Sequence, residues 1–212
     1  MIITYQGMES LKIQFGDTVV SYNPVSKEST GKVTRFGADI ALISLNDPDM
    51  NGAESASRGD RDPFVIEGPG EYEIGGIFIR GFLSRSNYKG DGRLNTVYLM
   101  TLENMNLCFL GALASADSLD ASAKEALDDI DILFVPIGEE GVLSPSEANA
   151  VAVKLEPRII VPIHHGGSLS KTALKTFLKE AGAEDIKGID KLTVKKKDLE
   201  GKEGEVVVLI EQ

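Results

Sequence analysis

The side chains able to do chemistry gather at few places along these 212 residues. Asp47 and Asp49 stand in Ile40-Ala-Leu-Ile-Ser-Leu-Asn-Asp-Pro-Asp-Met-Asn51. The first half is a short apolar run, suited to a strand buried on both faces. The second half turns abruptly polar, and Pro48 stiffens it and blocks a helix. A buried strand ending in a loop dense with carboxylates and amides is where α/β folds place a site. The chain has two histidines, His164 and His165, at the end of the apolar run Arg158 to Ile163. Neighbours in extended chain point opposite ways, so His165 is expected to face away from any site that His164 faces. Ser44, Ser84 and Ser86 could act as nucleophiles only with a basic partner, and none is visible near them in sequence. Cys108, the single cysteine, lies in the apolar run Leu107-Cys-Phe-Leu110 and reads as an inert core thiol. Gly68-Pro-Gly-Glu-Tyr-Glu-Ile-Gly-Gly76 lacks the Gly-Lys-Ser/Thr ending of a phosphate loop and reads as a turn at a sheet edge.

The elements that must position these residues fall into two halves. Ile2 to Tyr5, Leu11 to Phe15 and Thr18 to Tyr22 are β-prone, with Gly16-Asp17 as a hairpin turn. Val25 to Gly37 and Gly52 to Asp62 read as loops, and Phe64 to Ile66 as a strand. Ile77 to Phe82 alternates as a strand, and Leu83 to Leu94 is polar. Thr96 to Leu102 and Asn106 to Leu110 make a hairpin turning at Glu103-Asn104. The second half alternates: a short helix at Ala121 to Asp128, a strand at Ile130 to Ile137, and a helix opened by Ser144-Pro-Ser-Glu147. A strand at Arg158 to Ile163 follows, then a helix capped by Ser170 and ended by Gly182. Thr193-Val194 and Glu205 to Ile210 supply closing strands. The pattern is an α/β domain over residues 1–212, with two sheets face to face and helices outside.

The net charge of −11 disfavours a general nucleic-acid or anionic-membrane surface. Lys195-Lys196-Lys197 is expected to be a solvated turn, and Arg58-Gly59-Asp60 carries no weight. No apolar run reaches the ~20 residues of a membrane helix. Met1-Ile-Ile-Thr-Tyr5 lacks a basic leader, and one cysteine suits a reducing compartment, so a cytoplasmic location is expected.

Several stretches in fixed order carry a resemblance. They are Gly7-Met8-Glu9-Ser10, Asn23-Pro24, Ala38 to Ser44, Gly68-Pro-Gly-Glu-Tyr-Glu73, Asn95-Thr96, Leu110-Gly111 and Val161-Pro-Ile-His164. Together they resemble the metallo-β-lactamase-fold hydrolases, in a small branch similar to ascorbate-phosphate lactonases. The resemblance implies a four-layer αββα sandwich of two mixed sheets, with a site at one edge between them. It implies one or two Zn, Mn or Fe ions that activate a water against an ester, lactone, amide or phosphodiester. The family's first loop reads Ser-His-x-His-x-Asp-His. Against it, Leu45, Asp47 and Met50 stand at the histidine positions and Asp49 is unchanged. Met8 stands at an early histidine, Ala112 at the bridging aspartate, and Ser84 or Ser86 near the central histidine. His164 is unchanged. A dinuclear site needs about four or five histidines, more than this chain has.

Three readings follow. A degenerate dinuclear centre would leave a catalytically inactive homologue, kept as a binding or assembly module and binding no metal. A reduced site on Asp49 and His164, with Asp47, would hold one divalent ion and still hydrolyse. An emptied cleft walled by Leu45, Met50 and Ala112 would take a small molecule. Partners are expected to be a second copy of the chain or such a molecule. Against these stand plainer roles: Asp49 as a loop carboxylate capping nearby backbone amides, and His164 as a hydrogen-bonded buried imidazole.

Overall fold

The computed structural model describes residues 1–119, 121–138, 140–166 and 171–212, and of Lys171 the backbone only. Among the described residues, thirteen strands and three α-helices follow one another: β1 (Ile2–Gly7), β2 (Ser10–Phe15), β3 (Thr18–Tyr22), β4 (Ile40–Leu42), β5 (Phe64–Ile66), β6 (Gly70–Ile74), β7 (Ile77–Ser86), β8 (Arg93–Leu102), β9 (Met105–Phe109), α1 (Ala121–Ala126), β10 (Ile132–Pro136), α2 (Pro145–Leu155), β11 (Ile159–Ile163), α3 (Lys171–Glu180), β12 (Leu192–Thr193) and β13 (Glu205–Val206). They form a six-stranded sheet ordered β12-β1-β2-β3-β4-β5 and a seven-stranded sheet ordered β13-β11-β10-β9-β8-β7-β6. Both are mixed. β1 to β3 pair antiparallel and β3 to β5 parallel. In the other sheet β9, β10, β11 and β13 are parallel, and β6 to β9 antiparallel.

The sheets stack through one apolar core. Ile3, Leu11, Val20, Tyr22, Ile40 and Leu42 from the first face Ile79, Tyr98, Met100, Leu107, Phe109 and Phe134 from the second. A second cluster covers the outer face of the seven-stranded sheet. There Leu99, Cys108, Leu133 and Val135 meet Ala123 of α1, Ala148 and Val151 of α2, and Phe177 of α3. The expected sandwich of two mixed sheets with outer helices is therefore present. Outside the six-stranded sheet, Val19 is covered by Phe36, Ala38 and Ala56, the last at the end of a 3-10 turn.

Local sequence explains most boundaries. Ser144 accepts from the Glu147 amide, and the Glu147 carboxylate accepts from the Ser144 amide, closing the expected capping box on α2. Glu103 and Asn104 both lie at positive φ (54° and 58°), the geometry of a tight hairpin turn. Three expectations need correction. Gly70–Ile74 is a strand, not part of a turn; it is an edge strand whose exposed Glu71 and Glu73 hide its pattern. β7 runs to Ser86 and β8 starts at Arg93, because small buried serines and backbone pairing continue the ladder through a polar sequence. Glu205 to Ile210 forms a strand only to Val206, followed by a bridge from Leu209 to Ile189. Ser170, expected to cap α3, lies outside the described residues.

Candidate functional site at the sheet edge

The ends of β1, β4, β7 and β11 bring Glu9, Asp47, Asp49, Tyr88 and His164 together, so Asp49 and His164, far apart in sequence, share one region. His164 Nδ1 lies 3.1 Å from Glu9 Oε1, with both side chains fully buried. The other Glu9 oxygen accepts from Asn23 Nδ2, which also donates to Ser44 Oγ at 2.7 Å. Asn23 Oδ1 in turn accepts the Ser44 amide. The Tyr88 ring stands edge-on to the His164 ring at 5.3 Å. His164 Nε2 is buried with no hydrogen-bond partner among the described residues. Gly138 is required where it is, since a Cβ there would fall 2.0 Å from His164 Cδ2. His164 has φ +60°, and its amide donates to the Met8 carbonyl at 2.6 Å. Met8, Asn23 and Lys89, around the same region, also adopt positive φ.

The two aspartates are nearly buried and fully engaged. Tyr88 donates its hydroxyl to Asp49 Oδ2 at 2.6 Å. Lys89 Nζ donates to the same oxygen, and Ser29 to Asp49 Oδ1. Asp47 Oδ2 accepts from Arg93 Nη1 at 2.9 Å, and Oδ1 from Lys89 Nζ at 3.3 Å. Arg93 also donates to the Asn46 and Tyr88 carbonyls. Burial pushes the Asp47 carboxyl up, but Arg93, the Asp49 amide and Lys89 outweigh it and hold it below its ordinary value. Asp49 behaves alike: burial opposes, and Lys89, Ser29 and Tyr88 prevail. Burial works against the charge on Lys89, yet the bond to Asp49 raises its pKa overall. The Tyr88 phenol is driven upward by burial and then by Asp49, so it remains a donor.

Asp49 does not cap backbone amides as expected. Asp47 does, accepting the Asp49 amide at 3.2 Å, while Asp49 binds side chains only. His165 does turn away: its Nε2 pairs with the Pro162 carbonyl and its ring lies 5.0 Å from Tyr5. Burial, against that carbonyl, pushes its pKa down to about 4. Ser44, Ser84 and Ser86 are all buried in structural hydrogen bonds, the last two to the Asn95 carbonyl and from the Tyr88 amide. Cys108 is fully buried, and burial pushes its thiol up. Lys196 is not simply solvated, since its Nζ lies 2.7 Å from the buried Asp131.

Leu45, Met50 and Ala112 meet Tyr88 and Val142 in one buried cluster, with Met8 packed against it. They fill the edge of the sandwich with one another. A groove of about 790 Å³ lies elsewhere, lined by Asn149, Val153, Arg158 and Lys202 among others, and contains none of the candidate residues.

The donor chemistry tests whether a family-type metal suits this edge. His164 Nε2 is free and its Nδ1 is oriented by a carboxylate, as in a metal-binding histidine. The remaining donors do not fit. Both aspartates are spent on Lys89, Arg93, Tyr88 and Ser29, and apolar side chains pack beside them. Among the described residues, no group of three or more His, Cys, Asp or Glu side chains is placed to hold a metal ion.

The fold and the residues gathered at its strand ends define a class, and the sequence agrees: residues 2–164 match the beta-lactamase superfamily domain, to which this chain belongs. A metal-dependent hydrolase of Listeria monocytogenes serotype 4a is 22% identical over 196 residues, covering 78% of this chain and 85% of that protein. Another, from Lysinibacillus sphaericus, is 24% identical over the same shares. A structure from Thermotoga maritima, described as an inferred Zn-dependent hydrolase of the metallo-beta-lactamase superfamily, aligns with a TM-score of 0.78 and 25% identity. It covers 100% of this chain and 99% of its own.

Proposed function

We propose that this chain is a non-hydrolytic member of the superfamily, acting as a binding or assembly module through the scaffold its relatives use for hydrolysis. The observation that carries this reading is the state of Asp47 and Asp49. Each is already neutralised by a basic side chain of the same chain. A water attacking an ester or lactone needs strong activation, which in this family comes from cations held by histidines and carboxylates. Leu45, Met50 and Ala112 give neither ligand nor base. The test is turnover of lactone, ester and phosphodiester substrates by untagged protein supplied with Zn²⁺, Mn²⁺ or Fe²⁺. No turnover above free metal is expected, and turnover that follows enzyme concentration would overturn the reading.

One observation favours a second reading. The unpartnered His164 Nε2, backed by Glu9, is poised to bind or move a proton, and the relatives are described as metal-dependent hydrolases. Those descriptions weigh toward this reading more than toward the first. On it, a reduced site at Asp49 and His164, with Asp47, supports metal-dependent hydrolysis. Turnover would then vanish in His164→Ala and survive in His165→Ala; activity unchanged in His164→Ala would end it.

A further inference from the structure

Two cations stand close together in an acidic chain of net charge −11: Lys89 in the connection between β7 and β8, and Arg93 at the first position of β8. Both reach across to the β4 loop. Lys89 Nζ bridges the aspartates, touching Asp49 Oδ2 and lying 3.3 Å from Asp47 Oδ1. Arg93 takes the outer oxygen of Asp47 at 2.9 Å and the Asn46 carbonyl at 2.6 Å. Two negative charges therefore meet two positive ones. Tyr88 and Ser29 complete the oxygens of Asp49. Lys89 holds φ +50°, a conformation a non-glycine residue keeps only when its surroundings impose it. A buried pair of ionised carboxylates without balancing charge is strongly disfavoured, and here two basic side chains supply that charge.

We propose that Lys89 and Arg93 are this chain's built-in substitute for a metal ion. They form an internal cation pair that neutralises Asp47 and Asp49, pins the connection at residues 87–92 to the β4 loop, and keeps divalent ions off the two carboxylates. The inference rests on the non-hydrolytic reading in taking these carboxylates to be held without metal. A divalent ion reaching Asp49 must displace the lysine ammonium, and the half-exposed Lys89 is the gate to that exchange.

The experiment compares thermal denaturation midpoints of the untagged full chain in chelator and in Mn²⁺. The wild type should show no saturable shift with Mn²⁺. The K89M/R93M variant should melt lower in chelator and regain several degrees on Mn²⁺ addition, because the freed carboxylates then recruit the ion. Adding D47N/D49N to that variant should abolish the Mn²⁺ response. A saturable wild-type response lost in D47N/D49N would overturn the proposal, as would K89M/R93M melting like the wild type. If K89M/R93M does not fold, K89M alone carries the same comparison. Ester turnover by wild-type protein that ignores Mn²⁺ would defeat the non-hydrolytic reading and leave the cation pair standing. A saturable wild-type Mn²⁺ response that D47N/D49N abolishes, without turnover, would do the reverse.

Discussion

Glu9 and His164 form a wholly buried pair, 3.1 Å apart, that ties the end of β1 to the end of β11. Glu9 also receives Asn23, which holds Ser44 at the end of β4, so one carboxylate orders three strand ends. Replacing Glu9 with alanine strips His164 and Asn23 of an acceptor together. We expect Glu9→Ala to cost about 1–3 kcal/mol for each polar group left unsatisfied. Glu9→Gln should cost clearly less. Denaturant midpoints of the two variants check this, and equal losses would mean the pairing contributes little.

Acid should weaken the β4 loop specifically. The folded Asp47 and Asp49 carboxyls lie below their ordinary values, so they contribute stability that is complete above the unfolded value of about 4. That stability is lost as pH falls through the depressed folded values. D47N/D49N should therefore show a shallower decline of stability below about pH 4 than the wild type. Parallel acid curves for the two proteins would contradict it.

The apolar fill at the edge of the sandwich should behave as core. Met50 is fully buried against Leu45, Tyr88 and Ala112, so Met50→Ala should cost about 2–5 kcal/mol. Urea unfolding measures it, and a negligible loss would mean that the cluster is loosely packed.

Helix α2 depends on its capping box. Ser144→Ala removes the acceptor for the Glu147 amide and should lower stability by about 1 kcal/mol. The same unfolding assay reads it.

The sequence makes the fold legible where periodicity and turn chemistry act locally. The hairpin at Glu103-Asn104, the Ser144 box and the buried run Ile40 to Leu42 all stand where their residues put them. Legibility fails at the edge strand Gly70–Ile74, whose solvent-facing glutamates erase the alternation that marks a strand. In the site, Asp47, Asp49 and His164 are visible as types in a suggestive order, and they do converge. Their partners are not visible. Tyr88-Lys89-Gly-Asp-Gly-Arg93 reads as an ordinary polar turn, and only folding across some forty residues brings its cations onto the aspartates. Glu9 is equally silent, since its pairing with His164 spans 155 residues. A lysine and an arginine flanking a glycine turn in so acidic a chain is the one signal that could have pointed there.

The central claim is that the cation facing Asp47 and Asp49 belongs to the chain itself. Elemental analysis of untagged protein, purified without chelator and reconstituted with Zn²⁺, Mn²⁺ or Fe²⁺ before desalting, tests it most directly. The account predicts metal far below one ion per chain in the wild type. Near-stoichiometric metal in the wild type, lost in D47N/D49N, would contradict it.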